Sequence, residues 1–218
     1  MKKLLIFFIF LFIGIVLGSI YYVWKNNQTN SDIEQVKKEP RFSIETAPKN
    51  SEVGTIQSMS GTIKWGSRIA IATEGAQITK PVPIQQGEEL MSGEDGSAII
   101  HYQSGLTISL SPNSHISFIQ MLSTNFVLNQ LKGTIEYEKN SPIPLGIRSL
   151  HLLMQMDNGD IQIVTDEKIG LIEITVKRGS VRIAFNDLQN ISNVVSLSQG
   201  DQYLFDDKKR QGNIVTSR

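Results

Sequence analysis

The chain has 218 residues, in which 21 Lys and Arg balance 21 Asp and Glu, and it contains no cysteine. Without cysteine, disulfide bonds, thiolate metal sites and a cysteine nucleophile are excluded. Three of the basic residues lie at positions 2, 3 and 25, so the remainder is slightly acidic. This balance argues against a nucleic-acid partner, which needs clustered positive charge on the protein.

The N-terminus carries an apolar run, Leu4 to Val23, of twenty residues without a charge. About twenty such residues are needed for a helix to cross the hydrocarbon core of a bilayer, so the run predicts one transmembrane helix. A cleaved signal peptide is the alternative, but its apolar core would be shorter. The predicted anchor positions are Leu4, Phe8, Phe12, Val16, Ile20, Tyr21, Tyr22 and Trp24.

The charges beside this run predict its orientation. Lys2 and Lys3 precede it, and basic residues favour the cytoplasmic side of a membrane. We therefore expect residues 1–25 to form a cytoplasmic stub and a signal anchor in the bacterial inner membrane, with everything after them periplasmic or otherwise extracytoplasmic. Residues 26–52 are polar and contain two prolines, which predicts a flexible tether.

From Val53 onward the sequence is typical of an all-β domain. Apolar and polar residues alternate, as at Leu106, Ile108 and Leu110, which suits strands with one buried face. Because glycines repeatedly open these segments, we expect Gly-punctuated short strands arranged as a sandwich or in a short solenoid-like form. No amphipathic helix is expected after Glu52.

Turn residues suggest where the strands reverse and where the domain ends. Asp95-Gly96 and Asn158-Gly159 are strong hairpin dipeptides, and 177–179 predicts a third reversal. A positive φ is expected at Gly96 and also at Gly105, since each glycine follows a turn-type residue at the entrance of a strand. The β domain is predicted over residues 53–205, with a polar tail over 206–218.

One segment carries a recognisable order of motifs. Gly87-Glu-Glu-Leu90 is followed by a turn of small residues, by an alternating strand, by Gly105-Leu-Thr-Ile108-Ser-Leu110 and by Pro112-Asn-Ser. This order resembles the core of a FecR-type domain, and later strand openings extend the resemblance over roughly residues 53–205. It thins between Pro142 and Gly170. The positions that carry it, all expected to be structural, are Gly87, Leu90, Gly93, Gly96, Ala98, Gly105, Ile108, Leu110, Pro112, Gly133, Gly179 and Gly200.

The resemblance implies a location in the cell envelope more than a particular activity. The regulators that give the family its name are anti-sigma proteins that transmit iron-siderophore signals, and they carry a cytoplasmic sigma-binding region. Only Met1 to Lys3 precede the predicted anchor here, so we expect a stand-alone, membrane-anchored FecR-type domain without that region.

Motifs for catalysis are weak. The three histidines, His101, His115 and His151, show no HxH or HExxH spacing, and no serine lies in a G-x-S-x-G motif. Ser111 and Ser114 lie close to His115 along the chain, but a nucleophile also needs a base oriented by a third group. The acidic residues lack the spacing of a calcium loop. We therefore expect no enzyme activity, no metal and no cofactor.

Two classes of function remain open. The first is a non-enzymatic binding or scaffolding protein whose sheet edges or loops bind an envelope protein or a glycan. The second is an envelope hydrolase with scattered site residues. A further alternative is a signalling component that acts through its transmembrane helix, for example through the small-residue pair Gly14 and Gly18.

Overall fold

The computed structural model describes residues 47–67 and 75–216. Within these residues the chain forms strands and no helix, which confirms the all-β prediction. The predicted anchor lies outside the described part of the chain, and inside that part no helix is available to cross a bilayer. The strands are β1 (Gly54–Ser60), β2 (Ile63–Gly66), β3 (Ala76–Ile78), β4 (Pro83–Ile84), β5 (Glu89–Ser92), β6 (Ser97–Tyr102), β7 (Leu106–Leu110), β8 (His115–Leu122), β9 (Asn125–Lys139), β10 (Leu145–Ser149), β11 (Leu152–Asp166), β12 (Leu171–Asn186), β13 (Ser192–Ser198), β14 (Asp201–Asp206) and β15 (Gln211–Thr216).

The strand pairings divide the described residues into two layers. Strands β9, β11 and β12 are long enough to belong to both layers, and their two halves pair with different neighbours. All pairings are antiparallel except that of β9 with β10. The first layer has the order β4-β1-β6-β7-β9-β11-β12-β14-β15, and the second has the order β3-β2-β5-β8-β9-β10-β11-β12-β13.

Glycines mark the corners where the three long strands pass between the layers. Gly133, Gly159 and Gly179 lie inside β9, β11 and β12 and have φ values of 86°, 140° and 81°. Gly159 and Gly179 are paired with each other, so the two strands bend together. A Cβ atom on Gly159 would lie 2.2 Å from the carbonyl oxygen of Arg178. The sequence prediction of a hairpin at Asn158-Gly159 and of a reversal at 177–179 is therefore wrong, because both sites are bulged corners within continuous strands.

Each corner also changes which residues face the core. Inward side chains of an unbroken strand are separated by an even number of positions. At the corners the last inward side chain of one layer and the first of the next are five positions apart, because a bulge adds one residue. The three pairs are Gln130 and Ile135, Met156 and Ile161, and Val176 and Val181, all of them buried.

The core lies between the two layers. Tyr102 of the first layer contacts Phe126 of the second, with ring centroids 5.8 Å apart, and Phe185 and Phe205 meet edge to face at 4.9 Å. The predicted alternation in β7 is confirmed, since Leu106, Ile108 and Leu110 are all buried. These contacts join residues that are distant in sequence.

A polar network crosses the core near the corner of β9. The buried Gln130 donates from Nε2 to the carbonyl oxygens of Gly133 at 2.8 Å and Ile163 at 3.0 Å, and its Oε1 accepts from the Tyr137 hydroxyl at 3.0 Å. Both hydrogen-bonding ends of the amide are therefore satisfied. At the opposite end of the layers the fully buried Lys139 donates from Nζ to the carbonyl oxygens of Ser141 and Asp157, and burial lowers the pKa of this ammonium group.

Two buried tyrosines allow a matched test of this network. Tyr137→Phe would leave Gln130 Oε1 without its donor, so we expect a loss of about 1–3 kcal/mol in the free energy of unfolding. The Tyr102 hydroxyl has no hydrogen-bond partner among the described residues, so Tyr102→Phe should cost less than about 0.5 kcal/mol. Urea unfolding of the two variants measures both values, and equal losses would contradict the prediction.

The expectation of a positive φ holds at one of the two predicted glycines. Gly105 has φ of 89°, but Gly96 is not among the residues with positive φ. Gly96 is instead restricted by space, since a Cβ atom there would lie 2.2 Å from the carbonyl oxygen of Thr62. The turn predicted at Asp95-Gly96 is present between β5 and β6.

The segment predicted as a polar tail contains the last strand, β15. It pairs antiparallel with β14, from Gln211 opposite Asp206 to Thr216 opposite Asp201.

The chain enters the domain at the end of the layers where Glu52 accepts a hydrogen bond from Ser104 N. The turns that follow β10, β11, β12 and β14 lie together at the opposite end, which positions the candidate site.

Candidate interaction surface

The histidines do not come together in the structure. His101 Nδ1 lies 3.2 Å from Thr107 Oγ1, His115 Nε2 lies 2.9 Å from Glu89 Oε2, and His151 Nδ1 lies 2.9 Å from Asp207 Oδ2. Each histidine thus has its own partner in a different part of the fold. Within the described residues no group of three or more His, Asp or Glu side chains could hold a metal ion.

The serines near His115 are also engaged elsewhere. Ser114 is fully buried, its Oγ donates to the carbonyl oxygen of Thr134 at 2.9 Å, and it accepts from Thr134 N at 3.0 Å. Ser92 Oγ donates to the carbonyl oxygen of Ser111 at 2.6 Å. These hydroxyls connect neighbouring strands, and the contacts of Ser114 do not include His115.

The positions of the FecR-type resemblance lie in the core and in turns. Its apolar members are all buried, namely Leu90, Ala98, Ile108 and Leu110. Pro112 is exposed in the turn before β8. Gly93 and Gly96 lie close to Thr62 of the strand opposite. Of the glycines in the resemblance, those with positive φ are Gly87, Gly105, Gly133, Gly179 and Gly200.

A shallow groove at the end opposite the chain entry is the strongest candidate for a binding site. One part, about 500 Å³, lies over β10 to β13, and an adjoining part, about 370 Å³, lies between the turns after β12 and β14. The two parts share Phe185, Asn193 and Arg210, so we treat them as one C-terminal groove. Its other lining residues include Arg148, Leu150, His151, Leu153, Asp187, Leu188, Val194 and Lys209.

The floor of the C-terminal groove is an exposed apolar row. Leu153 is paired with Ala184, and Ala184 with Val194, so the three side chains lie side by side across three strands. Leu153 is 58% exposed and Val194 is 63% exposed, on the face that points away from the core. Contiguous exposed aliphatic side chains are costly in water, and they are frequent at interaction sites.

The hydrogen bonds of the groove leave its two arginines without acidic partners. Arg148 Nε donates to the carbonyl oxygen of Leu150 at 3.2 Å, and an Arg210 guanidinium nitrogen lies 3.4 Å from the carbonyl oxygen of Asn186. Within the described residues neither arginine forms an ion pair with a carboxylate. The carboxylate of Asp187 is held in its own turn, where it accepts from Gln189 N and Ile191 N at 2.9 Å.

Two groove residues have backbone conformations that suit glycine or asparagine better. Leu150 has φ of 48° and Arg210 has φ of 51°, in the left-handed region. A side chain other than Asn or Asp costs about 1–2 kcal/mol there. Among the described residues, the other two non-glycine residues with positive φ are Asn113 and Asn190, and asparagine tolerates this conformation well. Leu150 and Arg210, whose backbones are strained, both line the groove.

Sequence reasoning did not identify the C-terminal groove. Leu153 and Val194 are ordinary members of alternating strands, and nothing local indicates that their face is exposed. Arg148 and Arg210 line one groove only because the end of β10 meets the turn after β14, more than fifty residues further along the chain. The one available signal was the turn before β15, residues 207–210, which contains no glycine although glycine is common in turns.

The fold is similar to that of two solved structures. Both are crystal structures of a protein from Parabacteroides distasonis ATCC 8503 described as a putative anti-sigma factor, with TM-scores of 0.51 and 0.52. Sequence identity is 11% for each, over 59% of this chain and 59% of the solved chain, so the similarity is one of fold alone. No family model and no curated protein matches this chain.

Proposed function

We propose that this chain is a membrane-tethered, extracytoplasmic binding protein built on a FecR-type domain, that it is not an enzyme, and that its partner is a protein of the cell envelope. The observation that carries this proposal is the C-terminal groove, in which exposed aliphatic side chains lie beside arginines without acidic partners. Within the described residues, the groove lies at the end of the domain opposite Glu52, where the chain enters.

A second candidate function is envelope signalling through the predicted transmembrane helix. It is favoured by the fold similarity to a protein described as a putative anti-sigma factor. The two candidate functions make different predictions for variants of the transmembrane helix. If signalling depends on association of the helix, Gly14→Leu with Gly18→Leu should abolish the cellular response and leave partner binding intact, whereas a scaffolding protein should lose neither.

Site-specific photocrosslinking in living cells tests the binding function. A photoreactive residue at Val194 should give a discrete crosslinked product with an envelope protein. The matched control is Ile119, which is 51% exposed on β8 and lies outside the groove. The control position should give no product. Absence of a product at Val194, or the same product at both positions, would contradict the proposal.

The location is tested separately. Protease added to spheroplasts should digest the β domain, and the mature chain should retain its N-terminal residues, because the apolar run is expected to stay in the membrane as an anchor. N-terminal sequencing of the membrane-associated protein measures this. A mature start near Ser19 would mean that the segment is a cleaved signal peptide.

A further inference from the structure

We propose that the C-terminal groove recognises an acidic segment of its protein partner, with carboxylates of that segment paired to Arg148 and Arg210 and its apolar side chains lying on Leu153 and Val194. This inference rests on the proposed binding function and names the chemistry of the partner. It depends on three features of the groove, namely arginines without acidic partners, an exposed apolar row and backbone strain at Arg210.

The charge of the groove favours carboxylates. Arg148, Lys209 and Arg210 line it together with His151, whereas Asp187 is the only acidic residue in its lining. The Asp187 carboxylate already accepts two backbone N–H groups, and Lys209 is paired with Asp206 at 2.9 Å. The two guanidinium groups therefore remain for a ligand. Guanidinium groups bind carboxylates through paired, charge-assisted hydrogen bonds.

Asp207 does not neutralise these arginines, because it faces the histidine beside the groove. Its two carboxylate oxygens lie 3.0 Å and 2.9 Å from His151 Nδ1, and one of them also accepts from His151 N at 3.1 Å. This contact joins the turn after β10, next to Arg148 near the end of that strand, to the turn after β14, which contains Arg210. The groove is thus a preformed positive site.

The apolar row favours a protein ligand. Leu153, Val194 and the 66% exposed Leu188 are aliphatic, so they suit apolar side chains. Stacking on a sugar would require an exposed aromatic ring, whereas Phe185 of the groove is partly buried and packs edge to face on Phe205.

Backbone strain supports a recognition role for Arg210. Arg210 has a left-handed backbone conformation, in which a residue with a Cβ atom is less stable than glycine. The only hydrogen bond of the Arg210 side chain within the described residues is the weak one to Asn186 at 3.4 Å. Residues with strained backbone conformations cluster at binding sites, where recognition depends on them.

The test uses the full chain in detergent and a fluorescein-labelled peptide of alternating aspartate and leucine residues, with binding followed by fluorescence anisotropy. Wild-type protein should bind this peptide and not the lysine-leucine counterpart. Arg148→Ala and Arg210→Gly should each weaken binding by about tenfold or more, and added salt should weaken wild-type binding. Arg210→Gly should unfold at the same or a higher temperature than the wild type, which separates lost recognition from lost folding.

Two control variants accompany this test. Asn190→Gly changes a left-handed residue of the turn after β12 that is not among the lining residues of the groove, and Lys80→Ala removes an exposed positive charge that is not among them either. Both should bind the acidic peptide as the wild type does. Equal binding of the two peptides, or undiminished binding by both arginine variants, would overturn the inference.

A lipid arm identifies the other possible source of acidic groups. If wild-type protein binds phosphatidylglycerol vesicles and not the acidic peptide, and both arginine variants lose that binding, the inference of a protein ligand is overturned. If the Val194 crosslink forms in cells and both arginine variants still form it, the proposed binding function stands and the acidic-ligand inference fails. If no crosslink forms, the proposed function itself fails.

Discussion

Replacement of Gly159 by valine is expected to lower the free energy of unfolding by roughly 2–6 kcal/mol. Two costs combine at this corner. The φ of 140° is one that a β-branched residue rarely adopts, and such strain costs about 1–3 kcal/mol. The added Cβ would also lie 2.2 Å from the carbonyl oxygen of Arg178, and overpacking of this kind costs about 1–3 kcal/mol more. Chemical unfolding monitored by circular dichroism measures the loss.

Two other glycines separate these costs. Gly200 has φ of 90° and open space around the Cβ position, so Gly200→Val tests the backbone conformation alone and should cost about 1–2 kcal/mol. Gly96 has no positive φ, but its Cβ would lie 2.2 Å from the carbonyl oxygen of Thr62, so Gly96→Val tests the steric conflict alone. If Gly159→Val were no more destabilising than Gly200→Val, the close approach of β11 and β12 would have no energetic importance.

Raising the pH above 10 is expected to destabilise the domain by up to about 1.4 kcal/mol per pH unit for each buried tyrosine that stays protonated. Burial raises the pKa of Tyr102 and Tyr137 well above the ordinary value of 10.0, and it also raises the pKa of Tyr203. The unfolded chain loses these protons first. The stability contributed by the protonated hydroxyls is therefore complete below pH 10.0 and is lost as the pH rises through the pKa values of the folded state.

The effect of Lys139 on the pH dependence of stability has the opposite sign. Burial lowers its pKa below the ordinary value of 10.5, so the folded chain loses this proton before the unfolded chain does. Its contribution to stability rises with pH up to 10.5, where it offsets part of the tyrosine effect. Above pH 10.5 only the tyrosine contribution, which is unfavourable, remains.

Phenylalanine variants assign the alkaline loss. Tyr137→Phe and Tyr102→Phe should each make the decline of stability with pH shallower above pH 10.5, by up to about 1.4 kcal/mol per pH unit. Urea unfolding at several pH values between about 9 and 12 measures the slopes. A decline in either variant that runs parallel to that of the wild type would show that the tyrosine in question does not titrate as a buried group.

Some features of the fold follow from short stretches of sequence. The alternation of Leu106, Ile108 and Leu110 with Thr107 and Ser109 predicts the buried face of β7, and the structure confirms it. This works because side chains of a strand alternate between two faces, so adjacent residues alone contain the information. The all-β class follows from the same pattern repeated along the chain.

The corners illustrate what the local pattern leaves open. Asn158-Gly159 has the composition of a hairpin turn, yet β11 continues through it, because β12 pairs with β11 on both sides of the bulge. On its other side, β11 pairs with β10 before the bulge and with β9 after it. The glycine is required at either kind of site, since both need a positive φ. Only the partner strands decide whether the chain reverses or bends.

The last strand shows the same dependence on partners. Residues 211–216 have little apolar periodicity and read as a polar tail, but β14 offers them a row of unpaired backbone groups, and β15 pairs along its whole length. Backbone hydrogen bonds to an existing sheet edge do not require apolar side chains. The extent of the sheet is therefore a property of the assembled domain.

By itself, the sequence determined the all-β class, the buried faces of the strands and the need for glycine at particular positions, because these depend on neighbouring residues. Only the tertiary structure decided which glycines are corners, and only the tertiary structure built the C-terminal groove. Arg148, Leu153, Val194 and Arg210 belong to four different segments, and no local pattern encodes which strands lie beside one another. Register between distant strands is set by packing of the whole core, so a site assembled across that register can be recognised only after the chain has folded.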